Sequence, residues 1–135
     1  MEGLLKRLQR GGRLVGDGAW GTPLMQRGLP DSQAPDWPAL ERPEVIEEDA
    51  RLSEDAGADL VTTDTFGGTS FRLALHDLDG EKERINRQAV EAVKRAVEGR
   101  ALVSASVGPS GRLLEPYGDT SPEAVHEAFV EQVQV

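Results

Sequence analysis

The stretch that decides the fold is Leu14-Val15-Gly16-Asp17-Gly18-Ala19-Trp20-Gly21-Thr22-Pro23. A short apolar run predicts a strand, three glycines follow within six residues, and Thr22 and Pro23 then suit the N-cap and the first residue of a helix. Glycines allow positive φ and close approach of a ligand, and a helix N-terminus offers unpaired N–H groups. The stretch therefore predicts a strand-to-helix turn that can receive a carboxylate or a phosphate.

Asp17 adds an acceptor-only carboxylate to this turn. Such a group suits an ammonium or a hydroxyl close to the bound anion, so an amino acid is one natural ligand. A glycine-rich turn that binds nothing fits the stretch equally well, because such turns are common where strands enter helices. The stretch alone leaves both interpretations open.

Composition narrows the class of protein. The chain has 135 residues, enough for one domain, and its 24 acidic against 15 basic residues give a net charge of -9. This balance argues against nucleic-acid and anionic-membrane partners, which need clustered Lys and Arg. No apolar run approaches the ~20 residues of a membrane span, and early charges argue against a secretory signal, so we expect a cytoplasmic protein. With no cysteine and two histidines, no metal site is predicted within this chain.

Hydrophobic periodicity predicts the helices. A short amphipathic helix near Leu4 should end before Gly11 and cover an apolar edge, and further helices should begin near Pro43, span residues 81–98 and begin at Pro122 with Ser121 as N-cap. Their expected buried stripes are Val45, Ile46, Ala50, Leu52 and Ala56, then Ile85, Ala89, Ala92, Val93, Ala96 and Val97, then Val125, Ala128, Phe129 and Val133. Residues 30–38 lack periodicity and predict a loop of the kind that often lies over a site, anchored by Trp37.

Two further strands are predicted, over residues 58–66 and 101–107, and each closes in a glycine-rich loop. The first ends in Thr62-Thr63-Asp64-Thr65, which is unusual because a strand buried on both faces should stay apolar. We expect this end to open onto a cavity. The alternative is that the threonines merely satisfy local backbone groups.

Alternating strands and helices imply parallel strands with right-handed crossovers. A doubly wound sheet is one candidate, but Gly16, Gly18 and Gly21 depart from the GxGxxG order. The other is the start of a (β/α)8 TIM barrel, in which the loops after successive strands converge on one face. The three polar, glycine-rich strand ends favour the barrel. A full barrel needs roughly 250 residues, so this α/β chain would supply about three of eight units, truncated before the later strands.

Four motifs carry a resemblance to a known family: Asp17-Gly18-Ala19-Trp20-Gly21-Thr22, residues 57–67, Ile85-Asn86-Arg87, and Val107-Gly108-Pro109-Ser110-Gly111. Together the motifs resemble the N-terminal part of the homocysteine S-methyltransferase family, the zinc-dependent barrels of methionine synthases and betaine-homocysteine methyltransferases. In that family the Asp-Gly turn helps to hold the amino-acid end of homocysteine, which assigns this role to Asp17. We predict that the substrate-binding residues are Asp17, Gly18, Ala19, Trp20, Asp64, Thr65, Phe66, Ser106 and Gly108.

The chain departs from the family in two respects. Asp64 stands where the family usually has Asn, so an amide donor becomes a carboxylate and specificity could shift. The family's zinc, which binds and activates the homocysteine thiolate, is held by cysteines on later strands, and this chain has none. The resemblance implies zinc in the complete enzyme, with the methyl donor (methyltetrahydrofolate through cobalamin, betaine or S-methylmethionine) left open. The chain alone is expected to be inactive and to self-associate through its open sheet.

Three functions compete at this point. The first is methyl transfer to the homocysteine thiol, giving methionine, with this chain as the homocysteine-binding portion. The second is a non-catalytic module that binds an amino acid or another small carboxylate. The third is a different barrel enzyme in which Asp17 and Asp64 share a divalent cation or perform acid–base chemistry. The resemblance favours the first.

Overall fold

The computed structural model describes residues 3–30 and 32–135. The helices are α1 (Leu4–Gln9), α2 (Gly21–Gln26), α3 (Pro38–Glu41), α4 (Pro43–Asp55), α5 (Ser70–Leu73), α6 (Lys82–Val97) and α7 (Pro122–Val133). The strands are β1 (Leu60–Thr62) and β2 (Leu102–Ser104), and short 3-10 turns cover Ala74–His76 and Asp79–Glu81. The prediction of an α/β chain is confirmed, since each strand is followed by helical segments.

A small parallel sheet lies at the centre of the chain. Strand β1 pairs with β2, with Val61 opposite Val103, and Gly16 forms a parallel bridge with Leu60 on the other side of β1. The first predicted strand is therefore reduced to one bridge, supported by hydrogen bonds that flank Leu60. The three segments lie side by side in chain order, which places their following loops at one edge of the sheet.

The strands are shorter than predicted because side chains replace the backbone ladder beyond β1. The Thr63 amide still donates to the Ser104 carbonyl at 2.9 Å. The Ser106 amide, however, donates to the Thr63 hydroxyl at 3.1 Å instead of to a backbone carbonyl. Regular pairing thus ends at Thr62, and the following residues form loops.

Helices α4 and α6 pack together and form the main hydrophobic core with β1 and β2. The predicted stripe of α6 is confirmed, since all six of its apolar residues are fully buried. The stripe of α4 is confirmed for Val45, Ile46 and Ala50 but is wrong for Leu52, which is 56% exposed, and for Ala56. Leu52 and Ala56 instead line a cavity beside α2.

The two N-terminal helices differ from the prediction. Helix α1 forms, but its leucines are between 39% and 72% exposed, so the expected apolar contact is wrong within the described residues. Helix α2 begins at Gly21 and its N-cap is Trp20, with no capping side chain. Thr22 is therefore not the N-cap, because the backbone of Trp20 is already helical.

The N-terminus of α7 agrees with the prediction. The Ser121 hydroxyl accepts a hydrogen bond from the Ala124 amide at 3.2 Å, and Pro122 begins the helix. The expected stripe is only partly buried: Ala128 is 4% exposed, whereas Val133 is 71% exposed. The buried polar residue of this helix, Gln132, reaches the loop that follows β1 instead.

Candidate ligand-binding site

A cavity of about 460 Å³ lies at the edge of the sheet where the strand-following loops converge. Its walls come from the residues after Gly16, from the loops after β1 and β2, from the loop before α3, and from α5 with its 3-10 turn. Six of the nine predicted site residues line this cavity: Gly18, Ala19, Trp20, Asp64, Phe66 and Ser106. The strand ends therefore open onto a common space, as the polar sequence after Val61 predicts.

Asp17 lies outside this cavity and is bound to the neighbouring strand. Its Oδ2 accepts hydrogen bonds from the Thr62 amide at 2.9 Å and from the Thr62 hydroxyl at 3.0 Å. The same hydroxyl accepts a bond from Nε1 of Trp20 at 3.2 Å. Asp17 thus fixes the turn to β1, a structural role that the sequence analysis missed. Both bonds use Oδ2, so Oδ1 makes no hydrogen bond to a described residue.

The glycines of this turn do not need the backbone freedom that was predicted for them. Gly16, Gly18 and Gly21 are absent from the described glycines with positive φ, so that expectation is wrong. A Cβ atom added at Gly18 would meet no heavy atom within 4 Å. Gly16 and Gly21 likewise have open space where a Cβ atom would lie.

Thr65 and Gly108 hold the loops together and do not line the cavity. The buried hydroxyl of Thr65 donates to the Ser106 carbonyl at 2.8 Å and shares a hydrogen bond of 2.6 Å with Thr63. The Gly108 amide donates to the Phe66 carbonyl at 3.0 Å, and a Cβ atom at Gly108 would collide with that carbonyl. The alternative interpretation of the strand end, local satisfaction of backbone groups, therefore describes Thr63 and Thr65.

Asp64 lines the cavity as a buried acid without a partner. The residue is 3% exposed, and its Oδ2 has no hydrogen-bond partner among the described residues. Burial, followed by the charges of Asp36 and Asp49, raises the pKa of Asp64 well above its usual range. The neutral acid is therefore favoured at this position.

Asp36 lines the same cavity but has a backbone donor. The residue is 2% exposed, and its Oδ1 accepts a hydrogen bond from the Gly67 amide at 3.0 Å. Burial raises the pKa of Asp36 to about 6, opposed by this hydrogen bond and by the positive charges of Arg72 and His76. The two acids differ because only Asp36 has a donor and cations beside it.

Among the cavity residues that the sequence analysis did not predict, three have titratable or charged side chains: Asp36, Arg72 and His76. A signal existed for Asp36, because the loop over residues 30–38 was expected to lie over a site, and Ala34 and Pro35 do line the cavity with it. Trp37 anchors that loop against Leu24 and Val45, as predicted. No sequence pattern indicated that Arg72 and His76 would line the cavity, because their position depends on the direction in which α5 runs after β1.

The hypothesis of a shared divalent cation is not favoured by the geometry. Asp17 faces a different cavity, which α2 and α4 border, whereas Asp64 faces the cavity at the strand ends. Among residues 3–30 and 32–135 there is no group of three or more His, Cys, Asp or Glu side chains placed to hold a metal ion.

Within residues 3–30 and 32–135 no helix has the length and apolar character required to cross a membrane.

Comparison with known proteins identifies the family. The family model described as homocysteine S-methyltransferase matches residues 14–135, which include every strand-following loop of the cavity. The chain belongs to this family. The resemblance carried by the four sequence motifs is thereby confirmed.

Individual members of the homocysteine S-methyltransferase family match over nearly the whole chain. Methionine synthase from Mycobacterium leprae is 31% identical over 87% of this chain, and betaine-homocysteine S-methyltransferase 1 from Pongo abelii is 29% identical over 99% of it. The chain covers only 11% and 34% of these two relatives. It therefore corresponds to a minor part of each relative's length.

A solved structure agrees with this assignment. The metallated form of the homocysteine methyltransferase MmuM from Escherichia coli superposes with a TM-score of 0.75 and 26% identity. The match covers 96% of this chain and 53% of that protein. The α/β arrangement described above is thus one part of a larger homocysteine methyltransferase structure in that relative.

Proposed function

We propose that this chain forms the homocysteine-binding part of a homocysteine S-methyltransferase, which transfers a methyl group to the homocysteine thiol and yields methionine. The observation that carries the proposal is the convergence of three strand-following loops on one cavity within a chain of this family. The volume of about 460 Å³ is in the range of small-molecule sites and exceeds what a single amino acid needs, which leaves room for a second substrate.

We propose that the segment at Gly16, β1 and β2 are the first three strands of a (β/α)8 barrel. Their parallel order, with neighbours in sequence paired in space, is the order that such a barrel requires. Active sites of these barrels lie at the carboxyl ends of the strands, which is where the cavity lies. The later strands would then come from outside residues 1–135.

The chain's own residues would bind and orient homocysteine. The backbone of Gly18 to Trp20 lines the cavity and can approach a carboxylate closely. Asp17 lies outside the cavity, so its part in the site would be to hold the turn of Gly18 to Trp20 against β1 through its bonds to Thr62. The ring of Phe66, 56% exposed, supplies an apolar wall against which the methylene chain can pack.

Zinc does not fit the residues of this chain. The sequence has no cysteine, and the described residues provide no group of three metal-ligating side chains. We propose that the thiolate ligands implied by the family come from the later strands, and that the methyl donor is also bound mainly there. The cytoplasmic location likewise stays a prediction from the sequence.

A pair of substitutions tests the proposed site. Ala19 is exposed and lines the cavity, whereas Ala74 is exposed and lies outside it. In the enzyme completed by its later strands, Ala19→Phe should fill the cavity and weaken L-homocysteine binding by about tenfold or more, while Ala74→Phe leaves it unchanged. Calorimetric titration measures both. Equal affinity in the two variants would remove the cavity from the homocysteine site, and absent methylation of homocysteine with every donor would contradict the function.

Experiments on residues 1–135 alone test whether the metal site and the methyl-transfer activity depend on the later strands. We expect no stoichiometric zinc and no methyl transfer from this chain, because it lacks thiolate ligands. We also expect self-association, since three parallel segments leave two sheet edges open. Metal analysis, a methyl-transfer assay and light scattering address the three expectations. One tightly held zinc per chain, or turnover above a buffer control, would show that the chain contains the metal site after all.

A further inference from the structure

Asp64 is a buried acid that the hydrogen bonds of the folded chain do not use. It stands at the end of β1, 3% exposed, against the cavity, and its Oδ2 has no partner among the described residues. A buried polar atom without a partner is energetically costly relative to one that makes a hydrogen bond. A group of this kind in a cavity points to a ligand that supplies the missing partner.

The charged groups around Asp64 decide its protonation. Asp36, from the loop before α3, and Asp49, from α4, both oppose a negative charge on Asp64. Asp36 is stabilised as a carboxylate by the Gly67 amide, and Asp49 by an ion pair with Arg27 at 2.7 Å. The cations of the cavity, Arg72 and His76, act on Asp36. Asp64 is therefore surrounded by anions that have their own partners.

We propose that Asp64 acts as a neutral carboxylic acid that donates a hydrogen bond from its unpaired oxygen to the carboxylate of the bound amino acid. This inference rests on the proposed homocysteine site. The carboxylate is the strong acceptor of homocysteine, since its ammonium has no lone pair and its sulfur accepts weakly. Arg72 and His76 in the same cavity favour an anionic group as well.

A neutral acid at Asp64 would also suit the exchange that the sequence resemblance implies, in which Asp64 stands where the family usually has Asn. A neutral carboxyl group offers one donor and one acceptor, as a side-chain amide does, whereas a carboxylate offers acceptors only. The burial of Asp64 and the anions beside it keep the pKa of Asp64 raised, so the acid can substitute for the amide. The cost of this arrangement is a dependence on pH that an amide lacks.

The protonation of Asp64 can be measured without any substrate. Carbon-13 NMR of aspartate-labelled chain, with Asp64→Asn to assign the signal, should show Asp64 remaining protonated to a higher pH than Asp36, whose pKa is about 6. A signal that shows Asp64 ionised at the lower pH of the two would overturn the proposal. This measurement does not depend on whether the chain binds homocysteine.

Ligand binding gives the second test, in the enzyme completed by its later strands. L-Methionine is a suitable probe because its sulfur does not titrate. Above about pH 7, where Asp36 with its pKa of about 6 is already ionised, wild-type affinity should fall by about tenfold as Asp64 ionises, whereas Asp64→Asn should stay flat. At lower pH the two proteins should have the same affinity. Asp64→Ala, which lacks the donor, should bind about tenfold more weakly at every pH.

Each other outcome has a distinct meaning. If Asp64→Asn loses affinity at low pH, Asp64 binds the ammonium as a carboxylate and the proposal is wrong. If the pH dependence persists in Asp64→Asn but disappears in His76→Gln, the titrating group is His76 and the proposal is again wrong. If no variant binds L-methionine or L-homocysteine while the NMR result holds, the proposed function fails and the protonation of Asp64 does not.

Discussion

Two loops of this chain look alike in sequence and differ in physical role: the first loop, residues 17–21 after Gly16, and the second loop, residues 63–68 after β1. Each combines an aspartate with two glycines at the end of a strand. In the first loop the aspartate is bound to the neighbouring strand and the glycines face open space. In the second the aspartate is buried without a partner and the glycines press against side chains. Similar motifs therefore support a neighbouring strand in one place and form the wall of a cavity in the other.

The difference arises from what packs behind each loop. The second loop is held from outside: Asn86 donates to the Gly68 carbonyl at 2.8 Å, and Gln132 donates to the Thr65 carbonyl at 2.7 Å. Gln132 also donates to Asn86 at 3.2 Å. With its backbone fixed by these side chains, the loop keeps an acid in a place where that acid has no partner.

The largest expected effect concerns pH. Asp36, which holds the second loop at Gly67, has a pKa of about 6 in the fold against 3.8 as its ordinary value. A raised pKa means that this group contributes stability below about pH 4 and that the contribution is lost as pH rises through about 6. From pH 3 to pH 7 the wild-type chain should lose on the order of 3 kcal/mol more unfolding free energy than Asp36→Asn. Urea titrations at several pH values measure this, and equal slopes would contradict it.

The next largest effect concerns stability, and it compares a glycine of the second loop with a glycine of the first loop. A Cβ atom at Gly68 would collide with the side-chain ends of Asn86 and Gln132, whose hydrogen bonds keep them in place. We expect Gly68→Ala to cost about 2–3 kcal/mol and Gly18→Ala, the matched control in open space, less than about 0.5 kcal/mol. Chemical denaturation of both variants decides the point. Equal stabilities would mean that the second loop is as loosely packed as the first.

A smaller effect tests the support role of the first loop. Asp17→Ala removes two hydrogen bonds to Thr62, one of them to a backbone amide, and should cost about 1.5–2 kcal/mol. Asp17→Asn keeps one acceptor oxygen and should therefore cost less in stability than Asp17→Ala. The matched comparison is thermal unfolding of both variants. No loss of stability in Asp17→Ala would show that the bonds to Thr62 do not hold the turn.

The sequence predicted what depends on periodicity and on local hydrogen bonding. The buried stripe of α6 and the Ser121 cap follow directly from spacing, and both are present in the structure. The parallel order and the convergence of loops on a cavity follow from alternating strands and helices. These features need no knowledge of which side chains meet.

The rest depends on contacts between distant parts of the chain. Thr62 lies 45 residues from Asp17 in the sequence. The sequence therefore does not indicate that Thr62 donates hydrogen bonds to Oδ2 of Asp17. Asp36 is predicted to lie in a surface loop because residues 30–38 lack hydrophobic periodicity, whereas it is buried against Gly67. Leu52 fits the period of α4, but no element of the described chain covers it. Polar burial and uncovered apolar faces are decided by tertiary packing, which periodicity does not encode.

The position of the main core in the sequence affects the order in which parts of the chain fold during synthesis. The buried members of the main core all lie between Ala39 and Ala101, and neighbouring strands in sequence pair in space. We expect this centre to close as soon as those residues leave the ribosome, because short-range contacts form early. Gln132, however, reaches Thr65 across 67 residues and arrives only with α7. The second loop would therefore reach its final conformation after the core around it has formed. The cavity wall that contains Asp64 would then be the last part of residues 1–135 to fold.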